Sequence, residues 1–218
     1  MMGIKESAFE FFNLGISFLD FFDDVSLRAI GYEGKDMGEL NKGATIGPRV
    51  AKVPKNDNRE RMVCPECGYI LYDNPKIVAG AVVVWQEQYL LCRRAISPRK
   101  GYWTIPAGYL ELNEAVVDGA RREVMEEACA DIIIHGLLAV YNIPRISQVQ
   151  MIYNAELSNR VFAPGFESLE VDLFAWEHIP WEDLAFPSVS WALNHHHASK
   201  GKSSGQPFSN PDNEWGKY

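Results

Sequence analysis

Cysteine and histidine are scarce in this chain. There are four cysteines and five histidines in 218 residues, and neither type occurs before position 64. So few thiols exclude a disulfide framework and point to a reducing compartment or to metal use. Without a second pair of ligands at knuckle spacing, a complete tetrahedral zinc site within one chain is not expected. Long apolar runs are also missing: none approaches the roughly 20 residues of a membrane span, so no membrane partner is expected. Basic residues are outnumbered, 21 against 29 acidic, for a formal net charge of −8. That balance argues against nucleic acid as the main partner, although cations can bridge an acidic site to the phosphates of a small nucleotide. No internal repeat is present. What remains, 47% hydrophobic and 23% charged residues, is ordinary for a globular chain with one good core and a small appendage.

In chain order, residues 1–61 read as an extension and linker. Within it, 8–22 is an aromatic-rich run that suits an amphipathic helix, and 33–61 is rich in Gly, Lys, Asn and Asp. Glu10 and Asp20 make the run a poor signal or transit peptide. Residues 62–76 hold Cys64-Pro65-Glu66-Cys67-Gly68, a knuckle-shaped turn whose two thiols, Cys64 and Cys67, are candidate zinc ligands. A zinc shared by two such turns would make a homodimer. Otherwise the turn is expected to pack Tyr69 and Tyr72. Residues 77–197 form the main domain. Ile77–Trp85 reads as a strand buried on both faces, Tyr89–Arg93 as its hairpin partner, and Trp103–Ile105 as a strand leading into a turn. Further strands are expected at Ile132–Ile134, Leu137–Ile143, Val149–Leu157 and Val171–Trp176, with helical pieces at Pro180–Leu184 and Val189–His195. The pattern predicts a mixed α/β (α+β) layer fold. Residues 198–218, polar and rich in Gly, Ser, Pro and Asn, read as a flexible tail.

The chemistry is concentrated in Gly108–Ala130. Its second half lacks proline and is rich in Ala, Val, Glu and Arg, which predicts a helix. Glu123, Glu126 and Glu127 fall on one stripe of that helix, and Val117, Ala120, Val124 and Ala128 on an adjoining stripe that can bury against a sheet. Three crowded carboxylates repel one another, and a hard cation such as Mg²⁺ or Mn²⁺ would remove that repulsion. No Ser or Cys beside a His stands in the stretch to act as a nucleophile, so attack by water is the natural reaction.

The stretch resembles the Nudix box, G-x5-E-x7-R-E-U-x-E-E-x-G-U with U a bulky aliphatic residue. Gly108, Glu114, Arg122, Glu123, Val124, Glu126 and Glu127 match in register, whereas Cys129 replaces the second glycine and Ala130 is small for U. The resemblance implies a Nudix α/β/α sandwich with a mixed sheet. It also implies a divalent site on Glu123, Glu126 and Glu127, with Glu114 and the Gly108 carbonyl contributing and Arg122 orienting a glutamate. Related pyrophosphatases add a carboxylate from a loop outside the box. Glu170 is the preferred candidate over Glu167, both in GFESLE. Beyond the box, CPECGYILYDNPK, LLCRR, WTIPAGYLE, FAPGFESLE and LAF resemble the zinc-ribbon subgroup of plant chloroplast FAD and ADP-ribose pyrophosphatases. That implies cleavage of FAD to FMN and AMP, or of ADP-ribose to AMP and ribose 5-phosphate. Trp103, Tyr109 and Tyr141 are candidates to stack on a ring, although an aromatic near a strand end is more often core. An NADH or other dinucleotide hydrolase and a non-catalytic nucleotide-binding module stay open. A chloroplast location follows from the resemblance, and a cytoplasmic one from the N-terminal composition.

Overall fold

The computed structural model describes residues 47–200 and 205–216, in two compact units that divide between Tyr72 and Asp73. The expected helix over 8–22 lies outside the described residues. The first unit, from residue 47, is a three-stranded antiparallel sheet in the order β1 (Val50–Lys52), β2 (Arg61–Val63) and β3 (Ile70–Leu71). Part of the expected linker is therefore strand, with Val50 opposite Val63 and Lys52 opposite Arg61. All three β1 residues are exposed, so no apolar alternation marks the strand in the sequence.

The second unit is a seven-stranded mixed sheet between two helices. Its central path runs β10 (Ser168–Phe174), β5 (Gln88–Arg94), β4 (Lys76–Trp85), β9 (Gln148–Leu157), β8 (Ile132–Ile143). Two short strands, β6 (Trp103–Thr104) and β7 (Ala107–Tyr109), pair with β5 and β4. Only β4 and β9 run parallel among these pairs. The apolar run of β4 alternates between two cores. Ala81 and Val83 pack with Leu90, Cys92, Val124 and Ala128 beneath helix α1 (Val116–Ala128). Val82 packs on the opposite face with Leu91, Tyr141, Ile152 and Trp191 beneath helix α2 (Pro187–Ser199). A strand covered on both faces shows no polar alternation, which is how this run reads. The two strands expected over 132–143 are one, continued through register shifts at Ile134/Gly136 and Leu137/Ala139, as bulges allow.

The tail is not free over its described part. Phe208 N donates to Leu138 O at 2.8 Å and Phe208 O accepts from Val140 N at 2.9 Å. The Asn210 side chain brackets the Asn142 backbone with two bonds of 2.8 Å. This segment covers the edge of β8, and its polar composition hid the role because hydrogen bonds to the β8 backbone carry the contact.

The three consecutive histidines are structural. His195 Nδ1 lies 2.7 Å from Tyr141 Oη, and His196 Nδ1 lies 3.2 Å from Tyr89 Oη. Burial, then the nearby Lys200 and His197 charges, lower His196 to about 4 from its ordinary 6.5, with Glu87 opposing. The unfolded chain therefore takes a proton near pH 6.5 that the folded chain refuses until about pH 4. Stability from the neutral ring is whole above pH 6.5 and lost as the pH falls toward 4. The melting temperature is expected to fall across that window, and His196→Asn is expected to flatten the slope in scans at half-unit pH steps.

Helix α1 ends on Cys129, which adopts φ 48° and ψ 39° and donates its N–H to Met125 O at 3.0 Å. This is the left-handed cap that the expected glycine would take without strain. A non-glycine residue there costs about 1–2 kcal/mol, partly offset by the greater unfolded-state freedom of glycine. Cys129→Gly is expected to raise the melting temperature by about 2–4 °C and leave turnover unchanged.

Candidate functional site

Strand β7 lies beside β4, with Gly108 opposite Ala79, and α1 crosses it. A Cβ on Gly108 would collide with the Glu123 carboxylate. The glycine therefore lets the helix bring that carboxylate onto the strand backbone. Next to it on the helix, Glu127 is only 5% exposed, and its Oε2 accepts from Ala107 N at 3.3 Å. Burial, followed by repulsion from Glu123, pushes the Glu127 carboxyl up to about 8. Burial also raises Glu123, against the pull of Arg122. Two crowded acids that resist ionisation mark a place where positive charge is wanted.

Arg122 ties the remaining acids together. Its Nε and Nη2 donate to Glu114 at 2.8 and 3.0 Å, and its Nη1 to Glu123 at 2.7 Å and Glu126 at 2.9 Å. Nη2 also donates to Tyr109 O at 3.0 Å. The guanidinium holds Glu114 down to about 2. All five N–H donors of the guanidinium are used in this way, two more than a lysine carries. Among the described residues no three acidic, histidine or cysteine side chains are already converged as an ion site. The donor set still fits a hard divalent ion: all ligands are oxygens, Glu123 and Glu127 lack full charge compensation, and the cradle at Gly108 is kept clear of a side chain.

Gly108, Arg122, Glu123, Glu126 and Glu127 line a cavity of about 710 Å³, a size that suits a nucleotide derivative. Its lining also includes apolar side chains, Ile143, Ile146, Ile152, Phe186 and Val189, together with Gln148 and Gln150. Arg94 enters the wall with its Nε donating to Pro98 O at 2.9 Å and its guanidinium 5.1 Å from the Phe186 ring centre.

Not every expected site residue is here. Glu170 pairs with Arg93 at 3.3 Å, both half-exposed. It stands opposite Arg93 in the ladder, next to Val171 opposite Cys92, and Cys92 belongs to the core under α1. Alternation along β10 therefore turns Glu170 to the face away from the helix carboxylates. Glu167, one residue before β10, lines the cavity instead. Its charge raises both Glu123 and Glu127. The loop that carries it is fastened to α1, with Ala163 N donating to Ala128 O at 2.9 Å and Gly165 N to Glu127 O at 3.0 Å. Of the three aromatics, Tyr109 lines the cavity. Trp103 packs edge-on against Phe174 at 4.9 Å, and Tyr141 is fully buried against Trp191. Both are core. Arg94, Gln148 and Gln150 carried no expectation. Alternation in Gln148-Val149-Gln150 was a usable signal, since it sets both amides on one face.

The turn at Cys64 and Cys67 does not fit a complete zinc site. Cys64 is buried and donates its Sγ hydrogen to Glu66 Oε2 at 3.2 Å, while Cys67 is exposed. Tyr69 and Tyr72 are half-exposed rather than packed. Arg49 clasps Glu66 through both guanidinium nitrogens and holds it down to about 2. Where a second knuckle would supply ligands, this unit has an ion pair. Elemental analysis is expected to find no stoichiometric zinc per chain, and a chelator to leave the melting curve in place. Half an equivalent of zinc in a dimer would reverse that expectation.

The family model for the NUDIX domain matches residues 75–197, and the one described as Nudix N-terminal, a zinc ribbon, matches 47–73. A crystal structure of a NUDIX hydrolase from Nitrosomonas europaea is 42% identical, with a TM-score of 0.69 over 74% of this chain and 94% of that one. An ADP-ribose pyrophosphatase of Methanocaldococcus jannaschii is 26% identical over 122 residues, 54% of this chain and 71% of that protein. The NUDIX domain of Shewanella oneidensis NrtR, solved with ADP ribose, shares the fold at 18% identity and a TM-score of 0.50, over 58% of this chain and 89% of that one. The glycine cradle, the arginine-tied glutamates and a domain match over more than half of the chain agree, and the protein belongs to the Nudix hydrolases.

Proposed function

We propose that the protein is a Mg²⁺- or Mn²⁺-dependent pyrophosphatase that cleaves ADP-ribose to AMP and ribose 5-phosphate. The observation that carries this reading is one cavity lined both by the carboxylates of α1 and Glu167 and by apolar and amide side chains. A substrate that fills it joins a polyanion to a ring. The relative that acts on ADP-ribose adds support for the choice of substrate.

Glu123, Glu126 and Glu127, with the Gly108 carbonyl, would hold the cation, and Arg122 keeps Glu123 and Glu126 aimed. When bound, the ion supplies charge neutralisation at the phosphates and a lower pKa for the attacking water. Glu167 takes the proton of that water as its oxygen bonds to phosphorus. The bond from phosphorus to the bridging oxygen breaks, and the departing phosphate keeps the electron pair. Arg94, which also lines the cavity, meets charge on the phosphate chain.

Purified protein incubated with ADP-ribose, FAD, NADH or a diadenosine polyphosphate, with Mg²⁺ or Mn²⁺, is expected to release AMP fastest from ADP-ribose, read by chromatography. Preferred release of FMN and AMP from FAD would move the assignment to the flavin dinucleotide. Tight binding without any hydrolysis would replace it with a nucleotide-binding module.

A further inference from the structure

The segment that follows α2 reaches the cavity. Residues 205–216 lie beyond the stretch that matches the family domain, yet they are fastened to it along β8. Phe208 bonds to Leu138 and Val140 through its backbone, and its ring stacks on His195 of α2 with centroids 4.3 Å apart. The Asn210 amide clasps Asn142 and also donates to Glu214 O at 3.0 Å. Glu214 N donates to Pro211 O at 3.0 Å and closes a turn. Past that turn Trp215 is exposed, while Gly216 is buried and lines the cavity. Gly216 lies against Ile143, which ends β8 opposite Gln148, and both of those residues line the cavity too.

From this arrangement we propose that the C-terminal segment is a wall of the substrate site. Gly216 is its specificity-determining residue, packing with Ile143 against the base of a nucleoside diphosphate. This rests on the pyrophosphatase reading above. Phosphates are drawn to the cation-binding carboxylates and to Arg94, so the uncharged lining is left for the ring. Glycine is required by the backbone as well as by space. At Gly216 φ is 69°, and a Cβ would stand 2.9 Å from Ile143 Cδ1 and 3.1 Å from its Cγ2. A β-branched residue is an outlier at that φ. With a side chain present, either Ile143 or the segment must move. Both form the wall, so either movement changes the surface that the ring meets. Asn210 acts through the segment and is a positioning residue: it ties the turn before Gly216 to the β8 backbone.

The test uses AMP, which has no anhydride bond to cleave, on the full chain with Mg²⁺. Wild type is expected to bind AMP and to show slower amide hydrogen exchange in the peptide carrying Trp215 and Gly216 when AMP is present. Gly216→Val should weaken AMP binding in calorimetry by about 5–10-fold, the worth of about 40–60 Å² of apolar contact. Asn210→Ala, which frees the turn but keeps the glycine, should weaken it in the same direction. Phe208 still anchors both variants, and melting curves establish that they fold. On ADP-ribose both should raise KM and leave kcat within twofold, because the reacting groups stand on α1 and before β10. Gly205→Ala is the control within the segment, since nothing stands within 4 Å of a Cβ there, and it should change neither constant. Wild type that binds no AMP, exchange that AMP leaves unaltered, a Gly216→Val variant within twofold of wild type for AMP, or a fall in kcat with KM unmoved would each overturn the proposal. Failure of the pyrophosphatase reading looks different: AMP binding responds to Gly216→Val as expected, yet wild type does not cleave ADP-ribose.

Discussion

Glu127→Gln is expected to fold as well as wild type or better and to lose turnover by a factor of about a hundred to a thousand. Those two effects point in opposite directions for one reason. The Glu127 carboxyl is almost fully buried, with the Ala107 N–H donating to it and Glu123 repelling it more strongly than Arg94 attracts it. A buried carboxyl without a hydrogen-bonded cationic partner is costly to ionise. Glutamine keeps the shape and can still accept from Ala107 N, but it removes the charge. Stability is therefore expected to hold or rise, which is the usual relation between a strained functional group and the fold around it. Catalysis needs the charge. Loss of one preorganised electrostatic contact to a reaction centre costs on the order of 3–4 kcal/mol in the barrier. Steady-state kinetics on ADP-ribose beside melting curves measures both. Loss of folding together with activity would mean that Glu127 is structural. Retained turnover would remove it from the ion-binding set.

The box was legible because its spacing encodes geometry. Gly108 precedes the helix, and Arg122, Glu123, Glu126 and Glu127 return on its face with the helical period. The structure gathers Glu114, Glu123 and Glu126 around Arg122, sets Glu127 on the Ala107 N–H, and places Gly108 against the Glu123 carboxylate. Cys129 was legible too, as a residue in a place that wants glycine, and its positive φ is what that implies. The burial of Glu127 beside an exposed Glu126 was not readable, because the three fall on one stripe in sequence. Only the sheet underneath decides which of them is covered.

Glu170 illustrates a different limit. In GFESLE Glu170 lies within β10 and Glu167 one residue before it, and which side an acid there faces depends on the residue at which pairing begins. Pairing starts at Ser168, with a register shift between Ser168 and Glu170, and no residue type signals that shift. A single step exchanges the two faces of a strand. The aromatics failed for a related reason. Trp103 and Tyr141 were candidates as rings near strand ends, but both lie where α2 or its preceding turns close over the sheet. Gln148 and Gln150 were missed because glutamine carries no catalytic motif, and only their alternation about Val149 marks a shared face.

Gly165→Ala is the second large effect expected, and it tests how Glu167 is held. A Cβ on Gly165 would run into the carbonyl of Glu126 on α1, with the Glu127 carbonyl carbon 3.2 Å away. These are backbone atoms of α1, which cannot swing aside as a side chain can. The loop must therefore retreat, giving up the bonds from Gly165 N to Glu127 O and from Ala163 N to Ala128 O. Those two bonds satisfy carbonyls at the end of the helix, where no further turn supplies donors. Their loss is expected to cost about 1–3 kcal/mol of stability. The larger consequence is positional. Glu167 follows Gly165 by two residues, and a shift of about 1 Å in a reacting group costs on the order of a hundredfold in rate. Turnover should fall by that factor. Gly136→Ala is the control: nothing stands within 4 Å of a Cβ at that position, so stability and rate should both be unchanged. A Gly165→Ala variant with full turnover would show that Glu167 takes no part in the reaction, because the substitution cannot leave its loop in place.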